Sequence, residues 1–148
     1  MSLSKNQIQI KNFGGVVYEE RTAAEAGIMP GMLCRVNSAG KVIKHDAVGG
    51  KVENLIAIEN SLQGKTVNDV YAINTPVRLV RFRPGEEFFG LADGYTNIAL
   101  GEQVCSAGNG MHRSASDSGS YGAYANAVAL EANVSTSHAN QLIHLRAL

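Results

Sequence analysis

The sequence predicts an all-β domain, a small barrel or sandwich carrying at most single-turn helices. Three observations predict it. Short apolar runs recur between turn signals at intervals of about 8–12 residues. No window of about 11 residues keeps the period of an amphipathic helix. Adjacent Pro and Gly, at Pro30-Gly31 and Pro84-Gly85, mark sharp reversals between the runs.

Taken in order, Ile8 and Ile10 alternate with Gln7, Gln9 and Lys11, the period of a half-buried strand. Phe13 and the pair Gly14-Gly15 follow, then Val16-Val17-Tyr18. Two extended pieces about a glycine hinge predict an N-terminal arm over residues 1–20. Extended, it reaches on the order of 60 Å. Ile8 and Ile10 would anchor the arm by strand addition to a neighbour's exposed edge. Removing residues 1–14 is then expected to leave the core folded. The alternative reading is an ordinary first strand of the core.

Residues 21–148 form a single β domain. Thr22-Ala23-Ala24-Glu25 has the form of a capping box, so one helical turn is expected before Gly27. Residues 28–31 read as a turn, 32–36 as a strand, 37–41 as a hairpin turn, and Val42-Ile43 as the start of the return strand. Residues 54–59 are a compact apolar run, most simply a buried strand, and 66–69 suggest a second cap on a helical turn. Pro76 opens a strand from 77 to 82, and Pro84-Gly85 closes it. Arg78, Arg81 and Arg83 break its alternation, which predicts a bulge or a sheet edge. Residues 88–91 form one more short strand.

An internal echo follows. Ile28-x-x-Gly31, Cys34 and Ser38-Ala39-Gly40 resemble Ile98-x-x-Gly101, Cys105 and Ser106-Ala107-Gly108. Both read as a turn, a strand and a Gly-bearing hairpin. Residues 114–127 are rich in Ser, Ala, Gly and Tyr and read as a long flexible loop. Residues 128–148 read as a closing hairpin that docks the C-terminus in a sheet.

Charge and composition restrict function. The 148 residues carry 13 Lys+Arg and 13 Asp+Glu, a formal net charge of +0. A general nucleic-acid binder needs a cationic surplus to displace counterions from phosphate, so nucleic acid is not expected as a partner. Hydrophobic residues, at 45%, suffice for one core, and charged residues, at 18%, leave a surface suited to lying against other chains. No stretch approaches the roughly 18 apolar residues that span a bilayer, and Met1-Ser2-Leu3-Ser4-Lys5-Asn6 lacks the long apolar run of a secretory signal. Synthesis in the cytoplasm, with no membrane partner, is the expectation.

No catalytic, cofactor or metal site is expected. Cys34, Cys105, His45, His112, His138 and His144 lack the close pairing of structural zinc sites. No Gly-x-Ser-x-Gly elbow is present, and Glu86-Glu87 would point to opposite faces of a strand. Gly108-Asn109-Gly110 is a hairpin turn without the Lys-Ser/Thr of a phosphate loop. Residues 64–71 look faintly like the uracil-binding segment of dUTPases, but that family's catalytic Asp motif and Pro-Arg-Ser-Gly are missing.

From Thr22 to Arg113 the turn motifs follow an order. Gly27-Ile28-x-Pro30-Gly31 opens it, then Ala57-Ile58-Glu59-Asn60 with Gly64 and Asp69-x-Tyr71. Pro84-Gly85-Glu86, Leu91-Ala92-x-Gly94, Ile98-x-x-Gly101 and Ser106-Ala107-Gly108-x-Gly110 continue it. Val128-Ala129-Leu130-Glu131-Ala132 and Leu142-Ile143-x-Leu145-Arg146 close it. In this order the chain resembles the head decoration, or capsid cement, proteins of tailed bacteriophages. The arm and the loop at 114–127 depart from the family. The resemblance implies a β-tulip-like fold, a homotrimer, the major capsid protein as partner, and a place on the outer surface of the virion. Ile8, Ile10, Phe13, Arg78, Arg81 and Arg83 are then the candidate capsid contacts. A virion adhesion module (a head-fibre base or carbohydrate-binding domain) and a small enzyme are the other readings. An aromatic content of 6% with no Trp speaks against a sugar platform.

Overall fold

The computed structural model describes residues 4–118, 124–133 and 139–148. Eleven short strands account for the fold: β1 (Gln9–Lys11), β2 (Tyr18–Thr22), β3 (Leu33–Val36), β4 (Val42–Lys44), β5 (Leu55–Ala57), β6 (Pro76–Arg81), β7 (Glu87–Ala92), β8 (Gln103–Ser106), β9 (His112–Ser114), β10 (Ala127–Ala129) and β11 (Gln141–Ala147). The described helical residues are two 3₁₀ turns, Ser61–Gln63 and Ala115–Ser118. The chain is a small all-β domain, as its turn-punctuated apolar runs predict.

The strands form two rings with one strand order. In ring one the sequence of neighbours is β2-β6-β5-β3-β4, and Ala23 closes the ring by pairing in parallel with Val42 of β4. In ring two it is β7-β11-β10-β8-β9, and the parallel pair Ala92–His112 closes it. The correspondence extends to single hydrogen bonds. Gly31 N–H donates to Ala57 O and Gly101 N–H to Ala129 O, both at 2.8 Å. Ile58 N–H reaches Arg78 O at 2.9 Å, and Leu130 N–H reaches His144 O at 2.8 Å. The isolated bridge Ile28–Tyr71 in ring one matches Ile98–Asn133 in ring two. The echo in the sequence is therefore a repeated five-strand unit, with a different alignment. Cys34 corresponds to Val104, not Cys105, because Cys34 pairs with Leu55 as Val104 pairs with Ala127. Gly40 corresponds to Gly110, since the turns are closed by Asn37 N–H to Lys41 O and Ala107 N–H to Met111 O.

Alternation explains the interiors. One face of ring one's strands points inward and packs Cys34, Val42, Leu55, Ala57, Val77 and Leu79 together. The same positions of ring two hold Val104, His112, Ala127, Ala129, Ile143 and Leu145, all buried. A second apolar layer joins the rings, with Ile56, Val80 and Phe82 of ring one against Phe88 and Phe89 of ring two. Phe82 and Phe88 stack with centroids 4.7 Å apart. Gly31 lies at this seam with φ +90, and a Cβ there would sit 2.6 Å from Leu142 Cδ2. Only glycine permits that backbone and that approach.

Several expectations are corrected. Thr22 ends β2 and Ala23 pairs with Val42, so 22–25 is no helix cap; Glu25 instead accepts from Lys44 N–H at 2.7 Å. Residues 66–69 are a turn in which Asp69 accepts from Thr66 N–H at 2.7 Å, and the helical turn lies earlier, at Ser61–Gln63. The boundary at residue 20 falls inside β2. β6 is no edge: β2 and β5 flank it. Of the loop at 114–127, Ser114 ends β9 and Ala127 starts β10, while 119–123 lie outside the described residues. β10 and β11 pair as the closing hairpin, whose tip at 134–138 is likewise outside them.

Candidate functional site

The arm and its hinge are the place where sequence and structure concentrate unusual features. β1 adds to the edge of β7, with Gln9 opposite Phe88 and Lys11 opposite Glu87. Phe89 N–H donates to Ile8 O at 2.8 Å, and Ile8 N–H donates to Glu59 Oε2 at 3.1 Å. Ile8 is fully buried in the layer between the rings, and Ile10 packs half-buried beside it. The strand addition expected toward a neighbour is thus made to this chain's own sheet. Upstream, Lys5 Nζ meets Glu131 at 2.8 Å.

A clip holds the hinge. The Pro84-Gly85 turn brings Arg83 and Glu86 together, and the nearly buried Glu86 carboxylate accepts from Arg83 N–H and Nε at 2.8 Å each. It also accepts from Phe13 N–H at 3.2 Å. Burial alone would raise the Glu86 pKa, but the Arg83 guanidinium and the two backbone donors outweigh it and hold the carboxyl below its ordinary range. Arg83 Nη2 donates in turn to Phe13 O and Gly15 O. Beyond the clip, Gly14 and Gly15 adopt φ of +70 and +90 with open space around them. Phe13, Val17 and Tyr18 expose large apolar surface next to the hinge.

Arg78 and Arg81 are also satisfied within the chain. Arg78 is buried, its Nη1 3.2 Å from Ser61 Oγ, and its guanidinium lies 4.7 Å over the Tyr18 ring. Arg81 pairs with Glu53 and, at 3.1 Å, with Glu19. Burial pushes the Glu19 carboxyl up, but Arg21 and Arg81 together bring it below its usual range. Arg78, Arg81 and Arg83, expected to seek carboxylates on a shell, thus spend their charge on neighbours in sequence and sheet. Their signal as a contact edge came from broken alternation, and pairing within the chain produces the same signal.

Elsewhere the polar groups are packed, not poised. His45 Nδ1 lies 2.7 Å from Ser106 Oγ, and Nε2 lies 3.0 Å from Lys51 O. The carbonyl requires a proton on Nε2, so Nδ1 accepts from the serine. Ser106 is fully buried, and no substrate reaches that hydroxyl. Glu102 accepts from Ser114 Oγ and from Ala99 N–H, and these bonds hold its carboxyl below the ordinary range, a poor setting for a base. His144 Nε2 meets Glu87 at 2.6 Å beside the Phe89 ring. Among the described residues no three His, Cys, Asp or Glu gather to hold a metal; His138 lies outside them. No helix is long and apolar enough to cross a membrane among the described residues.

An open groove of about 660 Å³ runs between the rings, lined by Lys5, Met29, Pro30, Asn68, Asn140 and Gln141 among others. The Arg83–Glu86 clip is what sequence reading missed; its signal was an Arg and a Glu flanking Pro-Gly at i and i+3. No protein-family model matches the chain, and no curated protein matches it in sequence.

Proposed function

We propose that this chain is a structural decoration protein, a cement for the outer surface of a tailed-bacteriophage head, acting as a trimer on the major capsid protein. The observation that supports it is a set of large apolar side chains left out on loops and on the hinge. Val17 is 84%, Tyr95 81%, Leu62 79% and Leu100 68% exposed, on a domain whose net charge is +0. Covering these side chains with another chain would remove their apolar surface from water. The ordered turn motifs that resemble those of decoration proteins also support the reading.

A ligand that binds only the assembled shell stabilises it by RT ln(1 + [L]/Kd), about 2.7 kcal/mol at a hundredfold excess over Kd. Three linked contacts raise the effective concentration, so weak patches suffice. The test is cosedimentation of purified protein with expanded and unexpanded phage shells, followed by heating or osmotic shock. Selective binding to expanded shells with a raised rupture threshold supports the reading. No binding, or equal thresholds at saturating occupancy, removes the cementing role.

A further inference from the structure

Superposing the two rings by their strand order exposes one difference. In ring two, the outer edge of β7 is filled by the arm, through Phe89 N–H to Ile8 O at 2.8 Å. Ala23 and Ala92 are matched by their parallel closures, and Glu19 opposite Leu79 is matched by Phe88 opposite Leu145. The residue of ring one that corresponds to Phe89 is therefore Glu20. β2 is the terminal strand of its sheet, and among the described residues no strand lies along its outer edge before the Ala23–Val42 contact.

We propose that the outer edge of β2, at Tyr18–Glu20, is a second strand-acceptor site for an extended segment of a partner chain with the arm's own chemistry: apolar residues alternating with polar ones and flanked by lysine. Two features favour that occupant. The matching edge accepts such a segment, Lys5 to Asn12, already. The charges also select it. Glu20 is exposed and Glu19 stands beside it, while the segment 5–12 carries Lys5 and Lys11 and no acid. In ring two, Lys11 Nζ sits 3.8 Å from Glu87, the counterpart of Tyr18. Pairing of two β2 edges with each other would bring like charges together, which acidic edges resist. The exposed Val17 and Tyr18 offer an apolar footing at the open edge. The site is independent of whether the chain decorates a shell.

The experiment titrates a synthetic peptide of residues 4–12 (Ser-Lys-Asn-Gln-Ile-Gln-Ile-Lys-Asn) into the full-length, isotope-labelled protein and follows amide hydrogen exchange. The expected result is exchange of the Glu20 amide slowed about tenfold at saturation, with Phe89 unchanged. Glu20→Lys, an exposed substitution that keeps the fold, should weaken the peptide about fivefold. Glu20→Pro removes the donor and should abolish the peptide-induced shifts at the neighbouring Glu19 and Arg21 amides. Protection changing at Phe89 instead would mean that the peptide only displaces the chain's own arm, and would overturn the proposal. So would no protection at either amide in millimolar peptide, or equal affinity for a peptide with Ile10→Asp.

Discussion

Asn54 and Asn126 occupy matching positions in the two rings and hydrogen-bond to each other across the seam. Asn126 Nδ2 donates to Asn54 Oδ1 at 2.8 Å, and Asn54 Nδ2 donates to Asn126 O at 3.0 Å. Each precedes the fourth strand of its ring, and each carbonyl accepts from the residue just past the fifth strand, Phe82 N–H or Leu148 N–H. His112 Nε2 lies 3.2 Å from the same Asn126 amide. All three side chains are buried, so the rings meet through one polar knot inside an apolar layer.

Asn126→Ala should destabilise the protein by about 2–3 kcal/mol, because it strands Asn54 Oδ1 and His112 Nε2 without donors in the interior. The midpoint of urea unfolding measures it. A change below about 0.5 kcal/mol would mean that water replaces the amide.

His112 makes stability depend on pH. Burial lowers its pKa from 6.5 to about 4, since the charged ring would sit inside ring two. Below pH 6.5 the unfolded chain takes up a proton that the native chain refuses. Stability is therefore complete above 6.5 and falls as pH drops toward 4, by about 3 kcal/mol over the window. Glu86 and Glu19, whose folded pKa values lie below 4.5, act only below that value. Urea titrations between pH 7.5 and 4 should show the decline, and His112→Val, which installs the residue ring one has at Val42, should flatten it.

Ile8→Ala should cost about 2–4 kcal/mol, the price of a buried large-to-small change. This replaces the expectation that residues 1–14 can be removed without harm to the core. Thermal melts of Ile8→Ala and of the deletion decide between the two. A deletion as stable as the full chain would make the arm an independent tether.

Glu86→Gln should loosen the hinge. It removes the charge that draws Arg83 and leaves Phe13 N–H on a weaker acceptor. The expected loss is about 1–2 kcal/mol, with faster exchange at the Phe13 amide. A double-mutant cycle with Arg83→Ala should show coupling, since both side chains act in one clip.

Cys34 should stay inert in the native protein. Burial pushes its thiol up to about 12, so almost no thiolate exists at neutral pH. A thiol reagent should label it only at the rate of unfolding, and Cys34→Ala should cost roughly 1 kcal/mol.

The sequence by itself determined the class of the fold. Alternating apolar residues such as Ile8 and Ile10, and short runs such as Leu55-Ile56-Ala57 bounded by turn signals, favour strands, and Pro-Gly pairs mark reversals between them. It also carried the repeat, as the turns at Gly31 and Gly101, because φ values of 90 and 82 at those turns favour glycine. Tertiary structure decided the rest. Residues 19–21, Glu-Glu-Arg, are a strand only because Val77 and Leu79 line up against them, which no local propensity for charged residues would suggest. Arg78 and Arg81 read as an edge seeking partners until Ser61 and Glu19 are brought to them from another turn and strand. The arm's destination was equally invisible. A strand pattern specifies that an edge is wanted, and only the three-dimensional arrangement of edges decides that β7 takes it while β2 stays open.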